Sequence, residues 1–301
     1  MRKGKFFPDE TLDHFIYRAC PMLLDREYVR FLILKGLFKK SFRLANEIHK
    51  AGGTALEFGV FRGSSFIFQA HQIKNRYVTT KLVGFDSWSG LPEETSGIWF
   101  PGVHEKGQYR STKDVVISRM KKAGLDPSDT SKYRFVDGFY QDSLTPEVQN
   151  QISNVIFVNI DVDIHKSTIE LLNFVKPLLR PGAIIYWDDW KSPLEKHEGE
   201  WGEHLAWKEW CQENTHIKAE TLDVNWLNQR TMVVTAVGND SLSPEQLKAV
   251  YAKCNELDSV FARLEKFVLK SKLARSLLQV VFRIAGTLQT SHGDLASEKK
   301  S

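Results

Sequence analysis

Apolar positions along this chain recur in two rhythms, and the change from one to the other sets the first expectation of fold. Between Asp13 and Lys50, residues Tyr28, Phe31, Leu32, Leu34, Leu37, Phe38, Phe42 and Leu44 return at spacings of three and four with Lys and Arg between them. That is a helical pattern, and Ala51-Gly52-Gly53 ends it. Short apolar runs then alternate with amphipathic stretches. Strands are predicted at Thr54 to Phe58, Lys81 to Phe85, Tyr133 to Val136, Val155 to Ile160 and Gly182 to Trp187. Helices are predicted between them at Ser64 to Asn75, Thr112 to Gly124, Thr145 to Gln151 and Ser167 to Leu179. Strands that alternate with helices make a parallel sheet covered on both faces. A helix around His204 to Asn214 and two further strand-like runs, His216 to Leu222 and Thr231 to Val237, would add an antiparallel edge.

The expected fold is therefore α/β and Rossmann-like: seven strands, mostly parallel with one antiparallel edge strand, and helices on both faces. An N-terminal helical segment (1–53), a central domain (54–238) and a C-terminal helical extension (239–301) complete the division. Ser243-Pro244-Glu245 opens that extension, where Phe267, Leu269, Leu273, Leu277, Leu278, Val281, Phe282 and Ile284 form a wide apolar face between basic residues. Such a face suits packing on the same domain, on a second subunit in a homo-oligomer, or peripheral contact with a membrane surface.

Composition narrows the picture. The 301 residues carry 41 basic and 37 acidic side chains, a net +4 that gives no reason to expect nucleic acid. No stretch approaches the roughly 18 apolar residues that suggest a membrane span. Cys20, Cys211 and Cys254 are far apart and lack metal-binding spacing, which fits free thiols in a cytoplasmic protein.

Candidate chemistry gathers where strands end. Thr54 to Ser65 runs from an apolar strand through Glu57, Gly59 and Gly63 into Ser64-Ser65, a strand-to-helix turn whose backbone N–H groups could cradle an anionic or hydroxyl-rich ligand or could simply close a connection. Ligands of open parallel sheets bind at the carboxyl ends of the strands, and that rule collects Glu57, Asp86, Asp161, Asp163, Asp188 and Asp189 on one rim. Asp161, Asp188 and Asp189 suit a hard divalent cation such as Mg²⁺, although Asp-Asp at a strand end also serves as a helix cap or a solvated turn. The loop Ser87 to Ser111 is long enough to act as a lid, with Trp99 and Phe100 able to stack on a ligand.

Several separated motifs carry a family resemblance. Glu57 to Ser65 (E-F-G-V-F-R-G-S-S) resembles the first motif of class I S-adenosylmethionine-dependent methyltransferases. The blocks Gly84 to Glu93 (G-F-D-S-W-S-G-L-P-E), Asp137 to Leu144, Ile160 to Thr168 and Asp188-Asp189 are similar to those of the macrocin O-methyltransferase (TylF/MycF-type) family. Asp161 and Asp188 lie 27 positions apart, as the family's first two metal ligands do. The resemblance implies an S-adenosylmethionine-dependent O-methyltransferase acting on a hydroxyl of a sugar or glycosylated small molecule, with Mg²⁺ at Asp161, Asp188 and Asp189. By the same resemblance Glu57, Gly59, Gly63, Ser64, Ser65, Asp86, Ser87, Gly138 and Phe139 hold the cofactor. Asp161 and His165 are the catalytic candidates, and His104 is a further candidate base. Val162 and His165 replace the family's glycine and tyrosine, which bears on acceptor identity. A nucleotide-dependent oxidoreductase lacks its G-x-G-x-x-G here, and a non-catalytic assembly protein on the same scaffold would have no need of the crowded acids.

Overall fold

A computed structural model describes residues 28, 31, 35–75, 80–94, 104–190, 201–225 and 227–257. The alternating pattern becomes eight strands: β1 (Gly53–Phe58), β2 (Thr80–Asp86), β3 (Tyr133–Asp137), β4 (Val155–Ile160), β5 (Ile184–Trp187), β6 (Ile217–Val224), β7 (Arg230–Val237) and β8 (Asp240–Ser241). Their order is β3-β2-β1-β4-β5-β7-β6, with β8 paired to β7. Strands β1 to β5 are mutually parallel, and β7 is antiparallel to both β5 and β6. The sheet therefore has one strand more than expected, and its reversed strand β7 lies inside while β6 forms the edge. The reason is steric. β6 and β7 are joined by a short turn and pair as a hairpin, and it is β7, with Val233 and Val234 fully buried, that can tolerate neighbours on both sides.

Consecutive strand residues point to opposite faces, so each doublet in the strands feeds two cores. Ala55, Leu82, Phe157, Ile184 and Val233 lie in one cluster, and their neighbours Leu56, Val83, Val158, Ile185 and Val234 lie in the other. The first core is closed by helices α1 (Gly36–Ile48), α2 (Ser64–Asn75), α3 (Lys113–Lys122) and, later in the chain, α8 (Pro244–Glu256). The second is closed chiefly by α6 (His165–Val175) and α7 (Gly202–Glu213), with the one-turn helices α4 (Tyr140–Ser143) and α5 (Pro146–Gln149) nearby. Helix starts follow the local sequence. Thr112 and Thr145 each accept a backbone N–H three residues on, and Ser243 with Gln246 forms a capping box before Pro244.

Helix α1 bears most directly on the rim, because it begins beside the carboxyl end of β5, where Lys35 meets Asp188, and runs toward the amino end, where His49 meets Gly182 O. Phe38 meets Phe157 and Tyr186 edge-on at 5.9 and 5.2 Å, and Phe42 meets Phe157 at 5.2 Å. Each buried ring contributes about 1.5–3 kcal/mol from area alone. Among the described residues no helix is long and apolar enough to cross a membrane. The apolar face expected at 267–284 and the aromatics Trp99 and Phe100 lie outside the described residues.

Candidate active site

The carboxyl rim of the sheet is built by backbone bonds that continue the ladders one step beyond the strands. Gly138 N donates to Asp86 O (3.0 Å), Gly59 N to Phe85 O (3.0 Å), Asp161 N to Phe58 O (3.1 Å) and Asp188 N to Ile160 O (2.9 Å). Residues separated by more than a hundred positions are thereby set side by side in one line.

On the left of that line the glycine turn is held by side chains from three elements. Asp86 Oδ2 accepts Val60 N (2.9 Å) and Phe61 N (2.7 Å), and its Oδ1 accepts Trp88 N (2.7 Å). Burial raises the Asp86 pKa, and these three bonds partly offset it. Gly59 has φ +86°, and a Cβ built there would lie 1.9 Å from Asp161 O. Gly63 has φ +77° and faces Val116 of α3 at 2.7 Å in the same sense. Only glycine fits a left-handed backbone pressed this closely. Arg119 of α3 donates to Arg62 O and to Ser64 Oγ (3.1 Å), tying the far side of the turn. Ser87 Oγ donates to Gly90 O, which shapes the loop after β2. Gly138 (φ +121°) and half-buried Phe139 follow β3, and Ser143 Oγ donates back to Gly138 O (3.2 Å).

Glu57 is fully buried beneath the turn. Ser65 Oγ donates to its Oε1 (2.7 Å) and Gln69 Nε2 to its Oε2. Burial pushes its pKa from 4.5 up to about 8, against the smaller opposing effect of hydrogen bonds from Ser65, Asn159 and Gln69. The folded protein thus keeps a proton that the unfolded chain releases, so this group's stabilising contribution is complete below pH 4.5 and is lost as pH rises through about 8. Thermal melts of Glu57→Gln should consequently show a shallower decline than the wild type between about pH 5 and pH 8. An unchanged slope would assign the titration to another group.

On the right of the line three carboxylates converge. Asp161, Asp188 and Asp189 each offer an oxygen, all within 4.8 Å of one another. Burial first, then repulsion from neighbouring acids (Asp188 and Asp189 on Asp161, Asp163 and Asp188 on Asp189), pushes both well above the ordinary carboxylate range. Among the described residues, neither the Asp161 nor the Asp189 carboxylate accepts a hydrogen bond. Asp188 differs: its Oδ1 accepts Tyr186 Oη (2.8 Å) and Gln229 Nε2 (2.8 Å), and its Oδ2 accepts Lys35 Nζ. Burial would drive the Lys35 proton off, but Asp188, then Asp161 and Asp189, outweigh it and hold the ammonium charged. Three hard oxygen donors, two of them without hydrogen-bond donors, match the coordination chemistry of a divalent cation.

Two residues outside the trio shape it. Glu203 of α7 is fully buried and accepts Val162 N at Oε1 (3.1 Å) and Asp189 N at Oε2 (3.2 Å), bracing the loops after β4 and β5. Asp163 adopts φ +62°, and its carbonyl lies 2.6 Å from where a Cβ on Gly202 would stand. Its Oδ1 is 3.0 Å from His104 Nδ1, and the His104 ring lies 5.3 Å from that of Trp201. His165 begins α6, where its Nε2 lies 2.6 Å from Glu209 Oε2 of α7. No bond joins it to the trio among the described residues. Lys35, Glu203, Arg119 and Gln229 are site residues that motif spacing does not reveal, because each reaches the rim from an element distant in sequence.

A family model described as macrocin O-methyltransferase (TylF) matches residues 42–204. A curated relative, the 8-demethyl-8-(2,3-dimethoxy-alpha-L-rhamnosyl)-tetracenomycin-C 4'-O-methyltransferase of Streptomyces olivaceus, is 25% identical over 161 residues. That alignment covers 50% of this chain and 59% of the relative, so the chain spans less than two thirds of the relative's length. Among solved structures, the calicheamicin methyltransferase CalS11 superposes with a TM-score of 0.55 at 18% identity, over 76% of this chain and 86% of its own. The O-methyltransferase NovP gives 0.52 at 16% identity, over 67% and 80%. At these identities the likeness establishes a shared fold. The matched interval holds the glycine turn, Asp86, the three acids and Glu203, and begins after Lys35.

Proposed function

The chain belongs to the macrocin O-methyltransferase (TylF) family, and on that premise we propose that it transfers a methyl group from S-adenosylmethionine to a hydroxyl of a sugar or glycosylated small molecule, with Mg²⁺ assisting. The observation that carries this reading is the contact between the two halves of the rim, where the Gly59 backbone lies against Asp161 O. A donor held by the turn and an acceptor held by the acids would meet there.

The bound donor supplies an electrophilic methyl group, and the cation makes the acceptor hydroxyl more acidic. Everything else falls to the chain. Gly59 and Gly63 leave room for close approach of the donor, and the first turn of α2, with Ser64 and Ser65, presents N–H groups to its carboxylate. Asp86 takes the ribose hydroxyls, Glu57 stands beneath the amino end, and Ser87, Gly138 and Phe139 border the base. Asp161, Asp188 and Asp189 hold the cation. Asp161 also stands beside the turn, and from that position it is assigned the acceptance of the hydroxyl proton. His165, bonded to Glu209, orients α6 against α7 in this scheme. The transfer is a displacement at carbon, so alignment of the two substrates supplies much of the rate.

Calorimetry with S-adenosylmethionine and S-adenosylhomocysteine, followed by mass spectrometry of a panel of glycosides incubated with enzyme, donor and Mg²⁺, tests the reading. Binding of both ligands and the gain of one methyl group by a sugar hydroxyl are expected. Failure to bind either ligand would sink the proposal. Binding with transfer to non-sugar hydroxyls alone would move the acceptor class.

A further inference from the structure

We infer that Lys35 is a tethered counter-cation of the acid trio and that its ammonium and the divalent metal occupy Asp188 in turn. This rests on the metal reading above. The two oxygens of Asp188 are used differently: Oδ1 is committed to the neutral donors Tyr186 and Gln229, which leaves Oδ2 as the oxygen free for a cation, and Lys35 Nζ holds it. The same ammonium acts on Asp161 and Asp189, the other members of the trio. A divalent ion and a primary ammonium cannot share these oxygens without strong repulsion between like charges.

The surroundings make exchange simple. The backbone of Lys35 is fixed, since its N–H donates to Phe31 O (3.0 Å) and its carbonyl accepts from Lys39 N (3.1 Å). Its side chain nonetheless retains 26% of its surface in solvent, so rotation of the stem can carry the ammonium out without unwinding α1. Without metal, Lys35 relieves the repulsion among buried acids. With metal, it gives way. By linkage, whatever fraction of molecules holds Lys35 inward lowers the apparent metal affinity in proportion.

The test titrates Mn²⁺ alone into wild type and Lys35→Met, following free Mn²⁺ by electron paramagnetic resonance. If Lys35 lies inward about nine-tenths of the time or more, Lys35→Met binds about tenfold tighter or better. Equal or weaker binding by the variant overturns the inference and leaves the metal reading standing. If neither protein binds Mn²⁺ while both bind S-adenosylhomocysteine, the metal reading fails and the inference with it. Should Lys35→Met fail to fold, ¹⁵N-lysine spectra of the wild type decide. Saturation with Mg²⁺ is expected to move the Lys35 ammonium resonance to the position of solvated lysines, and an unmoved resonance overturns the inference.

Discussion

Asp161→Asn is expected to lower turnover by about a hundredfold or more while binding of S-adenosylhomocysteine is retained. The magnitude follows from losing a Lewis-acid contribution of several kcal/mol, where each 1.36 kcal/mol is tenfold in rate. The retention of binding follows from geometry: the turn that would hold the donor is fixed by Asp86, Arg119 and Glu57, none of which bonds to the Asp161 side chain. Asparagine keeps the volume and removes an ionisable group from a crowded set, so the fold is expected to be retained without metal. Steady-state kinetics with saturating Mg²⁺, beside calorimetry, checks both halves. Wild-type turnover by Asp161→Asn, unaffected by a strong chelator, would remove both the metal and the proton-accepting role.

Gly59→Ala acts on both halves at once. The backbone there is left-handed, which costs a residue with a Cβ about 1–2 kcal/mol, and the new methyl would have to displace the Asp161 carbonyl it meets at 1.9 Å. Overpacking of a rigid environment adds about 1–3 kcal/mol. A destabilisation of about 2–5 kcal/mol is expected from the two together, measured by chemical denaturation, with loss of donor binding and of turnover in whatever fraction remains folded. The displaced element is backbone of β4's continuation, so the damage should reach metal binding too. A variant with wild-type stability and donor affinity would mean that the turn and the acids are not in the contact described.

Much of this site is legible in the sequence. Alternating apolar runs locate every strand of the parallel part of the sheet, and acids at strand ends locate the rim, because a strand's last residue is fixed by the same pattern that fixes its core. The glycines of the turn are legible for a related reason, since two glycines between a strand and a helix point to backbone conformations that other residues avoid. The reversed strand lies one position further in than the pattern suggests, since hydrophobic period reports that a strand is half-buried and not which neighbour it chooses. Lys35 reads as part of the polar face of a helix, and its neighbour Phe38 gives no hint that the stretch meets the rim at Asp188. Glu203 sits in a helix whose pattern is amphipathic but whose buried carboxylate serves two loops, a relation that exists only after β4, β5 and α7 are packed. His165 carries the spacing of a site residue, yet its bond runs to Glu209, because the first residue of α6 faces α7.

The bonds that carry each ladder one step past its strand have a further implication for how such a protein diversifies. Gly138, Gly59, Asp161 and Asp188 each take their position from a backbone hydrogen bond to the neighbouring strand. A substitution elsewhere in the loops that leaves these four bonds intact therefore leaves the rim in register. A lineage built on this frame can vary its loops while the order of residues along the rim is inherited from the sheet.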